Sequence, residues 1–112
     1  MRHVARKEAI EHRNADSCVA FEYDTNTPDI NIARIEVKGR YPEVGSMVNT
    51  EVTELVYVVK GSGSVVVNGK HVLLAEGDVV SILAGEQVHW EGDMSLIIAC
   101  SPAWYPEQYE NT

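Results

Sequence analysis

The stretch that determines the fold is TELVYVVKGSGSVVVNGKHVLLAEGDVVSILAG, residues 53–85. It consists of short apolar runs separated by Gly, Asn and Asp, which are the residues that favour tight turns. Asn68-Gly69 is the strongest of these turn signals, because both residues tolerate the positive φ angles of a type I′ hairpin. The stretch therefore predicts antiparallel strands rather than helices.

Similar apolar runs continue on both sides of this stretch. We interpret Gly61–Gly63 and Gly92-Asp93 as breaks between strands, and only Arg6–His12 has a pattern that would suit a helical turn or two. About nine or ten short strands, the later ones spaced roughly 8–12 residues apart, predict a β-sandwich or barrel. The predicted strands are Ser17–Tyr23, Asp29–Lys38, Met47–Thr50, Thr53–Lys60, Ser64–Val67, Lys70–Leu74, Val79–Leu83, Gln87–Glu91 and Met94–Cys100.

Length and composition indicate one globular domain. The chain has 112 residues, a net charge of −8 and 45% hydrophobic residues. We predict a single domain over 1–112, with an N-terminal segment (1–16), a barrel (17–100) and an aromatic tail (101–112). The acidic balance argues against nucleic acid and anionic membrane surfaces as partners.

The compartment is predicted from the cysteines and the N-terminus. Cys18 and Cys100 are expected to be free and buried, because the first residues contain no apolar run typical of a signal peptide. No apolar run approaches the length of a membrane span. We therefore expect a cytoplasmic protein.

The strand Thr53–Lys60 is apolar on both of its faces. Glu54, Val56 and Val58 share one face, and Leu55, Tyr57 and Val59 share the other. A half-solvated antiparallel strand should alternate apolar and polar residues, so this one is expected to be covered on both sides. The barrel interior supplies one cover. For the other we predict a second subunit, and hence a homodimer; the alternative covers are the N-terminal strands and the tail with Trp104, Tyr105 and Tyr109.

Two segments of the opening stretch resemble the paired signatures of the cupin superfamily. The first signature ends in a glutamate, six residues and a glycine, which is the pattern of Glu54–Gly61. The second begins with a glycine, five residues and Pro-x-Gly, which is the pattern of Gly77–Gly85 with Leu83 in place of the proline. Fifteen residues, Ser62–Glu76, separate the two. The resemblance implies an all-β, cupin-type jelly-roll β-barrel (double-stranded β-helix).

The resemblance also implies where a metal would be held. Cupins bind a divalent ion with His-x-His and the glutamate of the first signature, together with a histidine of the second. Only Glu54 matches, because the other positions fall on Met47/Asn49 or Val48/Thr50 and on Val88. We therefore expect no metal or other cofactor. The alternative is one divalent ion held by Glu54, His89 and Asn49, which requires a bulge near Gly85 to turn His89 inward.

The candidate ligand-binding residues follow from the same alignment. Glu54 is the candidate catalytic residue, since burial would raise its pKa and suit it to proton transfer or to binding a polar group. Trp90 shares the inward parity of Val88 and either stacks on a ligand or fills the core. The predicted ligand-binding set is Asn49, Glu54, Val56, His89 and Trp90.

Three functions compete at this stage. The first, which we favour, is a small-molecule-binding cupin without a catalytic metal. The second is a cupin enzyme of the isomerase, lyase or dioxygenase class that uses Glu54 with or without a divalent ion. The third is an interaction module whose doubly apolar strand makes a dimer and little else. The fold alone does not distinguish them.

Overall fold

The computed structural model describes all residues, 1–112. It contains nine strands, two short 3₁₀ turns and no α-helix, which confirms the predicted all-β fold. No helix is present that would be long and apolar enough to cross a membrane. The strands are β1 (Ile10–Ala15), β2 (Cys18–Tyr23), β3 (Asn31–Tyr41), β4 (Met47–Asn49), β5 (Thr53–Val67), β6 (Lys70–Ala75), β7 (Val79–Ile82), β8 (Gln87–Ser101) and β9 (Tyr109–Asn111), and the 3₁₀ turns are Arg6–Glu8 and Pro106–Gln108.

The strands form one curled antiparallel sheet with β8 at its centre. One edge of β8 pairs with β3, and the other edge pairs with β5. From β3 the sheet continues to β2 and β1, and the outer edge of β5 carries β7 and β6. The short strand β4 pairs with the first residues of β8 and with β9. This arrangement turns one face of β2, β3, β5 and β8 towards a common interior.

The predicted breaks at Gly61–Gly63 and Gly92-Asp93 are wrong, because both lie inside strands of 15 residues, β5 and β8. The glycines permit close approach of the two backbones rather than ending the strands. A Cβ atom on Gly92 would lie 2.5 Å from the Gly63 Cα atom and 2.6 Å from the Ser62 carbonyl oxygen. Only glycine fits where the two strands approach so closely.

The Asn68-Gly69 hairpin is confirmed. It joins β5 to β6, and its two residues have φ angles of 49° and 81°. These positive angles are those that the turn prediction required.

The N-terminal segment differs from its prediction. Only Arg6–Glu8 makes a helical turn, of the 3₁₀ type, and a strand begins at Ile10. This strand, β1, pairs with β2 as the edge strand of the sheet. Its sequence, IEHRNA, shows little apolar periodicity. An edge strand can be stabilised by backbone hydrogen bonds to its neighbour, and these do not require a particular side-chain pattern.

The hydrophobic core lies on the concave face of the sheet. The inner residues of β5, Val56 and Val58, are fully buried there, together with Leu96 of β8 and Val37 of β3. Fourteen buried residues form this single cluster, and Trp104 and Tyr109 of the tail pack against it.

Candidate functional site

The concave face encloses a cavity of about 410 Å³. Of its eighteen lining residues, thirteen are hydrophobic, and none is a lysine or an arginine. An apolar cavity of this size with a few polar groups is typical of small-molecule sites. Besides the tyrosine and tryptophan side chains, its polar members are His12, Asn14, Glu22 and Glu54.

Glu54 is the most buried charged side chain of this cavity. It is the second residue of β5, only 5% exposed, and it lines the interior as predicted. Its Oε2 atom accepts a long hydrogen bond of 3.8 Å from the Cys100 thiol, which lies directly across on β8. Its Oε1 atom is buried without a hydrogen-bond partner. One carboxylate oxygen therefore has no hydrogen-bond partner within the protein.

Burial changes the acidity of Glu54. Desolvation raises its pKa from 4.5 to about 7, and the nearby Cys100 thiol and Asn49 amide offset only part of the rise. At neutral pH the side chain therefore exists in both protonation states, which is the condition for accepting a proton and returning it.

Asn49, a predicted ligand contact, lies near Glu54 but has another role. It is buried at the end of β4, but it does not line the cavity. Its Oδ1 atom accepts hydrogen bonds from Trp104 Nε1 at 3.0 Å and from Gln108 Nε2 at 2.8 Å. Asn49 therefore attaches the C-terminal tail to the barrel.

The other predicted contacts divide between the cavity and the rest of the molecule. Trp90 is 3% exposed and lines the cavity. Val56 lies in the core but does not line the cavity. His89 pairs with Val66 across the strands and precedes Trp90, so its side chain lies on the opposite face of β8 from Trp90. Of the predicted set, the cavity thus contains Glu54 and Trp90, whereas Asn49, Val56 and His89 lie outside its lining.

The residues near Glu54 do not fit the divalent metal that the resemblance implies. No three His, Cys, Asp or Glu side chains are arranged to hold an ion, and His89 faces away from the cavity. The thiols that line the same cavity belong to Cys18, whose pKa burial raises to about 11, and to Cys100, whose pKa is also raised. Neutral thiols are poor metal ligands, because metals bind the thiolate.

A pair of tyrosines in the cavity wall was not among the predicted site residues. The hydroxyl groups of Tyr41, the last residue of β3, and Tyr109, the first residue of β9, are 3.0 Å apart. Tyr41 has the parity of Val37, so extending the predicted strand Asp29–Lys38 past Lys38 would have found it. No local pattern indicates Tyr109, because its place depends on how the tail folds back onto β4.

The cavity mouth carries the least buried of these polar groups. His12 of β1 and Glu22 of β2 approach each other, with 3.6 Å between Nε2 and Oε2. Both side chains are more than a third exposed. The polar lining is thus graded from a solvated pair at the mouth to the desolvated Glu54 inside.

Comparison with known proteins assigns the fold. Residues 43–97 match the family described as the EutQ-like cupin domain. The solved structure of Pac13 from Streptomyces with uridine covers 100% of this chain and 90% of its own, with a TM-score of 0.90 and 18% identity. Another Pac13 structure is described as a nucleoside dehydratase.

Other solved structures share the fold at similarly low sequence identity. Ectoine synthase from P. lautus has a TM-score of 0.77 at 12% identity, covering 100% of this chain and 90% of its own. KdgF from Halomonas sp. has a TM-score of 0.71 at 20% identity, covering 88% and 90%. A search of curated protein sequences finds no match. At these identities the likeness is one of fold, and the chemistry of the cavity has to be argued from its own residues.

Proposed function

Because this chain belongs to the cupin superfamily, we propose that it is a small-molecule-binding cupin that holds its ligand inside the barrel without a catalytic metal. The observation that carries the proposal is that Glu54, whose Oε1 atom has no hydrogen-bond partner, lines a cavity of about 410 Å³. A ligand that donates a hydrogen bond to this atom supplies the partner that the protein does not.

The energetic argument concerns the cost of a buried carboxyl group. A buried polar atom without a partner costs about 1–3 kcal/mol, and the Oε1 atom of Glu54 is such an atom. A group that destabilises the empty protein in this way is typical of functional sites. The apolar walls supply contact area, and the few polar groups supply orientation.

The donor set supports binding without a metal. Cupin positions that carry imidazoles in metal-binding members hold Met47 and Asn49, or Val48 and Thr50, together with Val88 here. These side chains are poor ligands for the zinc, iron or nickel that imidazole suits.

A ligand screen with a cavity-filling variant tests the proposal. Ala33 lines the cavity, so Ala33→Trp should fill it, whereas Ala75→Trp at an exposed position adds the same side chain elsewhere. We expect small organic compounds, uridine among the probes, to raise the Tm of the wild type and of Ala75→Trp but not of Ala33→Trp. A crystal structure should then show the ligand beside Glu54 Oε1.

Equal binding to the wild type and to Ala33→Trp would overturn the proposal, because the ligand would then lie outside the cavity. Both variants should be folded by circular dichroism before they are compared.

A second candidate function is acid–base catalysis of the isomerase or lyase class. The observation that favours it is the raised pKa of Glu54, about 7, on a carboxyl group with a free oxygen. Glu54 would remove a proton from the bound substrate and return it at a second position or to a leaving hydroxyl group. Glu54→Gln should then abolish turnover while substrate binding persists. Loss of binding without any measurable turnover in the wild type would favour the simple binding protein.

We also propose that the protein is a homodimer. An outer patch, defined as Ile32, Leu55, Tyr57, Val59 and Val79, is exposed on the convex face. Strand pairing makes it continuous, because Tyr57 lies between Ile97 and Val79. The tail lies on the cavity side, and β1 extends the edge of the sheet, so neither covers the patch.

A second copy suits this patch better than a charged partner. The residues of the patch are uncharged, and the neighbouring Arg34 and Glu36 already pair at 2.8 Å. Two copies related by a two-fold axis would therefore bring apolar surfaces together without opposing like charges. Exposed apolar patches that span several strands commonly mark such interfaces.

A further inference from the structure

The charges around the cavity have one sign. Its lining includes Glu22 and Glu54, but no lysine or arginine. The only side chain there that can carry a positive charge is His12, and it already lies against Glu22 at the mouth. A carboxylate or phosphate entering the cavity would therefore approach Glu54 without any cation to compensate its charge.

The walls of the cavity are rich in aromatic side chains. Tyr41, Trp90, Trp104 and Tyr109 all line it. Aromatic faces attract cations, and the attraction strengthens where water is excluded. Glu54, whose Oε1 atom has no hydrogen-bond partner, lines the same cavity.

A protonated amine matches both features. An ammonium group carries three N–H donors and a full positive charge, so it would form a charge-assisted hydrogen bond with an ionised Glu54. Its own desolvation would be offset by that pairing and by the aromatic walls, whereas an anion would have no such partner.

We propose that the cavity selects small protonated amines with an apolar or aromatic body and rejects carboxylates and phosphates. This inference rests on the proposed function, because it concerns the charge class of the ligand that occupies the same cavity.

Three probes that share one aromatic ring but differ in charge test the inference. Benzylammonium, benzyl alcohol and benzoate differ in the group that would face Glu54 and little else. In calorimetric titrations of the wild-type protein at about pH 8, where Glu54 with its pKa of about 7 is mostly ionised, benzylammonium should bind roughly tenfold more tightly than benzyl alcohol. Benzoate should show no saturable binding.

Two variants separate the role of Glu54 from that of the net charge. Glu54→Gln keeps the shape of the side chain but removes its charge, so the preference for benzylammonium over benzyl alcohol should disappear. Glu91→Gln removes the same charge at an exposed position on β8 outside the cavity, and it should leave the preference unchanged. Glu22→Gln at the mouth should reduce the preference less than Glu54→Gln, because the more exposed charge is screened by solvent.

The outcomes distinguish this inference from the function on which it rests. Benzoate binding as tightly as benzylammonium, or an unchanged preference in Glu54→Gln, would overturn the charge selectivity and leave the cavity as a binding site. If none of the three probes binds and the wider screen also finds no cavity ligand, the proposed function fails as well.

Discussion

The two faces of strand β5 differ in exposure although both are apolar. On the inner face, Val56 and Val58 are fully buried and Glu54 is 5% exposed. On the outer face, Leu55, Tyr57 and Val59 are each about half exposed. Alternation alone does not distinguish these faces, because hydrophobic residues occupy both.

Each face carries side chains that do not suit its exposure to solvent. A carboxyl group on the buried face is costly, and so it indicates a ligand or a proton-transfer role. Apolar side chains on the exposed face are equally out of place, and so they indicate a partner. The inner exception supports the binding site, and the outer exception supports the dimer.

The largest expected effect is the pH dependence that Glu54 contributes. Its pKa is raised from 4.5 to about 7 on folding, so the folded state binds more protons than the unfolded state between these values. The contribution of Glu54 to stability is therefore greatest below about pH 4.5 and falls as the pH rises towards 7, by about 3 kcal/mol in total. Above that pH the contribution is constant.

Glu54→Gln removes this titration, so comparing the variant with the wild type separates the contribution of Glu54 from that of the other titratable groups. The difference in free energy of unfolding between Glu54→Gln and the wild type should grow by about 3 kcal/mol from acidic to neutral pH, in favour of the variant. The thiol and phenol groups nearby should not contribute, because Cys18, Tyr41, Cys100 and Tyr109 all have raised pKa values. The His12–Glu22 pair is common to both proteins. Denaturant unfolding at a series of pH values measures the difference, and parallel curves would contradict the burial of an ionisable Glu54.

Two adjacent valines compare the faces directly. Val58→Ala should destabilise the protein by about 2 kcal/mol, because it removes two buried methyl groups and leaves a small void. Val59→Ala, one residue along and 48% exposed, should change the free energy of unfolding of a single chain by less than about 0.5 kcal/mol. Denaturant titrations would measure both. Equal losses would mean that both faces are buried, and a loss at Val59 that increases with protein concentration would locate an interface there.

Tyr57→Glu should have little effect on the folding of one chain but should prevent association. It places a charge without a partner inside the proposed interface. At micromolar concentration, sedimentation should show twice the chain mass of 12.4 kDa for the wild type and 12.4 kDa for the variant. Leu73→Glu is the control, because Leu73 is exposed on β6 away from the outer patch. A wild-type mass of 12.4 kDa that does not change with concentration would contradict the dimer.

The smallest expected effect is that of metal removal. No group of three His, Cys, Asp or Glu side chains is arranged to hold an ion, so a chelator should leave the Tm unchanged. Elemental analysis of the purified protein should find well below roughly one zinc, iron, nickel or manganese ion per chain. A stoichiometric ion would overturn the reading of Glu54 as a metal-free group.

The N-terminal strand and the long central strands show where local patterns were insufficient. β1 is polar and pairs through its backbone, so nothing in IEHRNA distinguishes it from a surface segment. Gly63 and Gly92 resemble turn residues, but they are required by the close approach of two strands that are distant in sequence. Both errors arise because strand pairing is a long-range property.

The site residues also differ in how far the sequence predicted them. The sequence determined that Glu54 and Trp90 face inward, because side chains alternate between the two faces of a strand whatever its partner is. The role of Asn49 was not determined by the sequence, because its amide oxygen accepts hydrogen bonds from Trp104 and Gln108 of the distant tail.

By itself, the sequence determined the Asn68-Gly69 turn, the alternation along β5 and the presence of an inward carboxyl group among apolar residues, since each depends on local geometry. Only the tertiary structure decided that the tail folds back onto the cavity, that Tyr41 meets Tyr109, that His89 lies outside and that Glu54 keeps a free oxygen. These features depend on which distant segments pack together, and packing partners are selected by the whole chain rather than by any one segment of it.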